Sequence, residues 1–303
     1  MPELPEVETI KNVLLPIVKN RKILGVEILR KSVVYGLKEE FIEFVTGTSI
    51  LNITRRGKFL IFHLSEQKVI ISHLRMEGKY YELAENEALS KYARVVFHLD
   101  NQTKLCYDDL RSFGRMAMSD EASYLTSKPL IDLGPEPFDI TDVNFLYKQG
   151  QKTKRPIKTS LLSQKLFVGL GNIYVDEVLF KSGLHPLTPT KYLSIDDWEM
   201  VVAHSKSILK DAIASGGTTV KSYRPGKDIS GNFQTQLRIY GRRGQKCVVC
   251  HRNLRFIKVG GRGTTFCPQC QLHAHSPLKI AIVGKIAAGK STVLDIFMQA
   301  GYC

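Results

Sequence analysis

The chain has 303 residues, enough for two or three domains that each bury a core of their own. Its 43 Lys+Arg against 29 Asp+Glu leave a formal charge of +14, which favours a polyanionic partner through counterion release, although a basic, well-solvated surface accounts for charge alone equally well. No run of eighteen or more apolar residues occurs, and the N-terminus lacks the basic, apolar and small-residue regions of a secretory signal, so the expectation is a cytoplasmic protein with no membrane partner.

A helix is predicted from about Val7 to Val18. Short β-like runs follow at Ile23 to Leu29, Ser49 to Thr54, Phe59 to Leu64, Val69 to His73, Arg94 to Leu99 and Lys104 to Tyr107. Apolar and polar positions partly alternate along them and turn residues separate them, which predicts a β-sandwich or open barrel. From Thr141 to Ala214 the period becomes helical, with Thr141, Ser194 and Asp196 available as N-caps and Gly183 and Gly216 as stops. Between the two, Leu133-Gly134-Pro135-Glu136-Pro137 continues neither element and reads as a linker. Residues 215–235 are rich in Gly, Ser, Thr and Lys and predict a mobile loop.

Cys247 and Cys250, then Cys267 and Cys270, form two tight pairs enclosing sixteen residues, the spacing of four thiolates around one tetrahedral Zn2+. Such a site is structural, because four thiolates leave no open position for chemistry. Flanking β-like segments predict a hairpin with Gly260-Gly261-Arg262-Gly263 at its tip. Arg238, Arg242, Arg243, Lys246, Arg252 and Arg255 make the module basic, as phosphate contact requires. The predicted architecture is multidomain α+β: a β-sandwich domain over 1–132, a helical domain over 133–235, the finger over 236–272 and a distinct tail over 273–303.

The ordered segments Pro2-Glu3-Leu4-Pro5-Glu6-Val7-Glu8, Arg55-Arg56-Gly57-Lys58, His73-Leu74-Arg75-Met76-Glu77-Gly78, Asp109-Leu110-Arg111-Ser112-Phe113-Gly114, the 133–137 linker, Gly169-Leu170-Gly171-Asn172-Ile173-Tyr174 and the cysteine module resemble the bacterial formamidopyrimidine-DNA glycosylase family from residue 1 to about 272. That resemblance implies a helix-two-turn-helix domain between sandwich and finger, with double-stranded DNA carrying an oxidised purine or an abasic site bound between the lobes. One polypeptide supplying both lobes implies a monomer. By the same resemblance, Pro2, freed by removal of Met1, is the nucleophile, Glu3 the acid, Glu6 a supporting carboxylate whose crowding against Glu3 raises a pKa, and Lys58 and Arg262 the cations that assist β- and δ-elimination.

Met76, Arg111 and Phe113 match the residues that fill the hole left by an everted base. On the residues alone Met76 and Phe113 read as core. His73, Tyr92, Lys154, Lys158, Asn172 and Tyr240 are the further DNA contacts implied, and Thr218, Thr219 and Tyr223 the lesion-loop contacts. Tyr92 stands where many members carry a histidine and Ser163 where an acid is common, so altered affinity or local packing is expected there. The related endonuclease VIII branch prefers oxidised pyrimidines; Arg111-Ser112-Phe113 points to the purine branch.

Gly284 to Ser291 fits a phosphate-loop pattern and resembles the start of dephospho-coenzyme A kinase. With no further strands or acid beyond Cys303 to complete such a site, the tail reads as a remnant.

Overall fold

The computed structural model describes residues 2–218, 231–272, Val283 and 289–299. Pro5 sits in the first turn, where its missing N–H is not needed, and Val7, Ile10, Leu14 and Val18 recur at helical spacing. Helix α1 (Leu4–Val18) forms accordingly and buries that stripe. It begins at Leu4 rather than Val7, because the acidic residues that mask the apolar period are compatible with a helix start.

Then come β1 (Ile23–Ile28), α2 (Lys38–Val45), β2 (Ile50–Arg56), β3 (Phe59–Leu64), β4 (Lys68–His73), β5 (Lys79–Ala84), β6 (Ala93–Leu99), β7 (Thr103–Asp108) and β8 (Arg115–Asp120). Two four-stranded sheets result, in the orders β1-β6-β7-β5 and β2-β3-β4-β8, and every pairing in them is antiparallel. They are the faces of a sandwich. Leu60, Phe62 and Ile70 from one sheet and Val95, Phe97 and Leu105 from the other share a core with the α1 stripe. Ile61, Val69 and Ile71 point the other way, as the two-residue period demands, and are covered by Leu130, Tyr124 and Leu133. Three elements had no counterpart in the sequence reading: α2, whose buried face is only Phe41 and Val45, and the strands β5 and β8.

Helices α3 (Asn144–Gln151), α4 (Ile157–Leu162), α5 (Asn172–Lys181) and α6 (Ile195–Ala214) enclose a second core around Trp198, Tyr174 and Phe167, and Leu4 of α1 inserts into it. Ser194 caps α6 and donates its own N–H to Asp197, while Gly183 and Gly216 take positive φ just past α5 and α6 as expected. The other two predicted caps fail: Val143, not Thr141, precedes α3, and Asp196 lies inside the first turn of α6, where Ser194 already holds the free amide.

The finger is a hairpin of β9 (Arg255–Val259) and β10 (Arg262–Phe266), joined by the two-residue turn Gly260-Gly261, both at positive φ. Arg262 therefore opens a strand, paired with Val259, rather than sitting on the turn. Helix α7 (Lys290–Gln299) lies in the tail, and Ser291 to Ile296 are exposed on it. Thr219, Tyr223 and most of the phosphate-loop-like segment, residues 284–288, lie outside the described residues. Among the described residues, no helix is long and apolar enough to cross a membrane.

Trp198 is fully buried with Gly150 packed against its ring. Trp198→Ala should therefore lower folding stability by about 3–5 kcal/mol, read as a fall in the urea midpoint followed by circular dichroism.

Candidate active site

Glu3 is almost fully buried, and its carboxylate lies at the N-terminus of α5, accepting from the backbone amides of Gly171, of Ile173 at 2.9 Å and of Tyr174 at 3.4 Å. A side chain on residue 171 would overlap that carboxylate, so the close approach requires glycine there. The amides and the helix dipole favour the anion. Burial outweighs them and pushes the Glu3 pKa up to about 7; Lys58 opposes the rise and Glu6 adds to it. The crowding expected from the sequence is thus real but secondary to desolvation.

Lys58, buried where β3 begins, donates from Nζ to the Leu170 carbonyl at 2.7 Å. Burial brings its pKa down to about 8, with Arg262 pushing the same way and both glutamates resisting. The turn it binds is itself fixed by Gln164, whose Oε1 accepts from Gly169 N at 2.9 Å and whose Nε2 donates to Leu170 O at 2.8 Å. Glu136 of the 133–137 segment accepts from Arg55, Arg56 and the Gly57 amide at 2.9, 3.2 and 2.6 Å. The segment read only as a linker therefore clamps the β2–β3 turn that presents Lys58.

Glu6 accepts from the Glu3 amide at 2.9 Å, the Tyr174 hydroxyl at 2.7 Å, and the Thr218 amide and hydroxyl at 2.9 and 3.0 Å. Thr218 is consequently buried as an anchor on Glu6. A lesion contact through its hydroxyl does not fit that geometry. Pro2, also buried, immediately precedes these two carboxylates.

On the finger side, Arg262 is exposed, whereas Lys158 is not. Lys158 Nζ donates to Asp176 at 2.7 Å and to the Gly263 carbonyl at 3.2 Å, with no exposed surface. This corrects its expected phosphate contact: a fully buried ammonium whose bonds are spent internally cannot meet a phosphate in this conformation. Asn172 Nδ2 donates to the same Gly263 carbonyl at 3.1 Å, and Asp176 accepts from Thr265 N at 3.2 Å. Glu177 gathers the amides of Arg238, Ile239 and Tyr240 at 3.0, 2.9 and 2.8 Å. Helix α5 thus holds Glu3 at its tip and the finger along its side. Asp176 and Glu177 escaped the sequence reading because two acids in mid-helix carry no signal of which backbone they face.

The four cysteine sulfurs lie within 4.8 Å of one another, with Cys247–Cys270 at 3.8 Å and Cys250–Cys267 at 3.4 Å. Zn–S bonds of about 2.3 Å in a tetrahedron place sulfurs about 3.8 Å apart, so the residues fit one structural zinc ion held by Cys247, Cys250, Cys267 and Cys270.

Met76 and Phe113 are 38% and 45% exposed, which decides against the core reading of both. The Arg111 guanidinium stacks 4.5 Å over the Phe113 ring. Met76, Phe113 and Arg262 line one open cavity of about 440 Å3 with Tyr35, Arg75 and Arg115. His73 is buried against Phe59, and its Nδ1 accepts from the Arg75 amide at 2.9 Å, so the ring proton sits on Nε2. Burial, with Arg75 and Lys58 nearby, brings its pKa down to about 3. Tyr92 is half-buried under Lys91, Lys154 is exposed, Tyr240 is half-buried, and Ser163 ends α4 by donating to Ser160 O at 2.7 Å.

The structure thus joins a sandwich, a helical domain whose α5 gathers the site and a zinc-finger hairpin that carries an exposed arginine. Residues 1–116 match the formamidopyrimidine-DNA glycosylase N-terminal domain, 133–224 its H2TH domain and 244–272 the zinc finger found in FPG and IleRS. The formamidopyrimidine-DNA glycosylase of Oceanobacillus iheyensis is 43% identical over 274 residues, covering 89% of this chain and 98% of that protein. That of Shouchella clausii is 43% identical, covering 89% and 99%. Among solved structures, Lactococcus lactis Fpg in complex with DNA containing an abasic site superposes with a TM-score of 0.83 at 35% identity, covering 89% of this chain and 99% of that one. The complex of that enzyme with Fapy-dG-containing DNA gives 0.83 at 36% identity and the same coverage. The chain belongs to the formamidopyrimidine-DNA glycosylase family.

Two outcomes follow from this geometry. His73 should show no titration between pH 5 and 9 in an NMR pH series, because its neutral form is the stable one throughout. Removing zinc with a chelator should abolish strand cleavage while leaving most far-ultraviolet dichroism, since the finger is a small part of the fold.

Proposed function

We infer that this chain is a base-excision repair glycosylase that removes oxidised purines, 8-oxoguanine and formamidopyrimidines, and then cuts the abasic strand by β,δ-elimination as a lyase. The observation that carries it is that Glu3, which follows Pro2 and precedes α1, and Lys58 of the β2–β3 turn both bond to the turn before α5, with the charge of Arg262 close enough to act on Lys58. The relatives' names and the DNA in the related structures support the same reading.

With Met1 removed, the secondary amine of Pro2 has a pKa near that of an α-amino group, about 8, and a fraction is free at neutral pH. It attacks C1′ of the damaged nucleoside; the C1′–base bond breaks with its electron pair leaving on the base, which takes up the proton lost from the nitrogen. Protonated Glu3 then delivers its proton to the sugar ring oxygen, the C1′–O4′ bond breaks, and the nitrogen lone pair closes the C1′=N+ bond. The resulting iminium is the electron sink that lets a base take the C2′ proton and expel the 3′ phosphate. Lys58, neutral above about 8 and cationic below, serves proton transfer or phosphate contact. Arg262 neutralises the second phosphate as it leaves. The everted base leaves a gap that Met76, Arg111 and Phe113 fill, with Arg111 hydrogen-bonding the orphaned cytosine. The His73 Nε2 proton, Asn172, Tyr240 and exposed Lys154 face phosphate, and Tyr92 replaces an imidazole contact with a phenol. Thr219 and Tyr223, which follow Thr218 in the chain, take the lesion contacts. The protein acts as a monomer in the cytoplasm, on DNA.

Borohydride should trap a covalent adduct between the Met1-free protein and a duplex carrying 8-oxoguanine opposite cytosine. Binding without adduct or cleavage would instead mark a non-catalytic damage binder. Base release should fall as pH rises above about 7, because protonated Glu3 is the competent form and is lost through that pKa. Glu3→Gln should slow base release by about 10²–10⁴-fold and erase this alkaline limb, yet still cut a preformed abasic site.

A further inference from the structure

The Met76 loop, residues 74–78, runs from β4 in one sheet to β5 in the other, and the Arg111–Phe113 loop, residues 109–114, returns from β7 to β8. Both cross between the sheets at the same end of the sandwich, and both meet one side chain. Tyr107 on β7 is fully buried, its ring 4.9 Å from that of Tyr80, and its hydroxyl reaches the junction of the two loops. A Cβ on Gly78 would collide with that hydroxyl and with the Leu74 carbonyl. A Cβ on Gly114 would collide with the same hydroxyl and crowd the Asp109 carboxylate. Two glycines on separate loops thus make room for one oxygen.

Each loop is otherwise pre-bent. Arg75, next to Met76, and Ser112, between Arg111 and Phe113, both take left-handed backbone, at φ 55° and 53°. His73 Nδ1 holds the Arg75 amide at 2.9 Å, and Asp109 holds the amides of Arg111 and Gly114 at 3.1 and 2.7 Å. Each loop is therefore fixed internally, but among these contacts only Tyr107 spans both. Its buried hydroxyl makes no well-formed hydrogen bond and has the Asp109 carboxylate as its polar neighbour, so packing alone would be served as well by phenylalanine.

We propose that Tyr107 is a positioning residue for reading the opposite strand: its hydroxyl registers the Met76 loop against the Arg111–Phe113 loop, so the three side chains enter the duplex as one rigid wedge. Its polar neighbour in that register is the Asp109 carboxylate, which also holds the Arg111 and Gly114 amides. This rests on the assignment of those three residues to the gap.

Tyr107→Phe removes only the hydroxyl. Single-turnover excision of 8-oxoguanine opposite cytosine and opposite adenine gives a discrimination ratio. We expect the variant to lower it about 5- to 10-fold, part of the selectivity a good base contact supplies, with Tm equal or higher and cleavage of preformed abasic sites unchanged. An unchanged ratio overturns the proposal. So does a fall in Tm and abasic-site cleavage alongside the ratio, which would mark a merely structural residue. Arg111→Ala separates the two layers: if it lowers the ratio and Tyr107→Phe does not, the role of Tyr107 alone fails, and if neither lowers it, the wedge assignment fails with it.

Discussion

The contact on which the molecule depends is the carboxylate of Glu3 seated on the first amides of α5. It joins the first helix of the sandwich to the helical domain, while Leu4 beside it inserts into the second core. Two opposed effects meet there. Aligned amides would stabilise an anion, and exclusion of water would destabilise it. Exclusion wins and raises the pKa to about 7, the range in which a carboxyl can give up or take a proton near neutrality.

The same logic extends outward along α5. Its N-terminus fixes the acid, Asn172 and Asp176 hold the β10 strand that carries Arg262, and Glu177 fixes the chain entering the finger. Because Lys58 grips the turn preceding this helix, groups separated by more than two hundred residues in sequence share one reference frame. The zinc ion contributes rigidity to the far end of that frame and no chemistry of its own, since all four positions are thiolates. Lys158 belongs to the frame as well. Its ammonium joins α4, α5 and the finger, so a cation that reads as a phosphate ligand in sequence instead helps hold the strand that carries Arg262.

The family resemblance and the zinc ligands were legible from local spacing, because both depend on residues close in the chain. The sandwich was legible in most of its strands, whose apolar alternation is set by two faces with different surroundings. Elements with little buried surface, α2, β5 and β8, gave weaker patterns, and the caps at Thr141 and Asp196 were misplaced because several polar residues near a helix start are chemically equivalent until the backbone selects one. Met76 and Phe113 illustrate the limit from the other side. An apolar residue in a short motif is read as core unless the fold exposes it, and here it does.

By itself, then, the sequence determined the metal and its ligands and the change from strand to helix, which spacing and period encode, and, through the ordered motifs of the family it resembles, Pro2 and Glu3 as candidate nucleophile and acid and DNA as the expected partner. Tertiary structure decided which groups are buried and which amides or carbonyls they meet. On that depend the raised pKa of Glu3, the lowered pKa values of Lys58 and His73, the anchoring of Thr218, the diversion of Lys158 and the meeting of two loops at Tyr107. Desolvation and long-range hydrogen bonding act between residues far apart in the chain, so no local pattern records them.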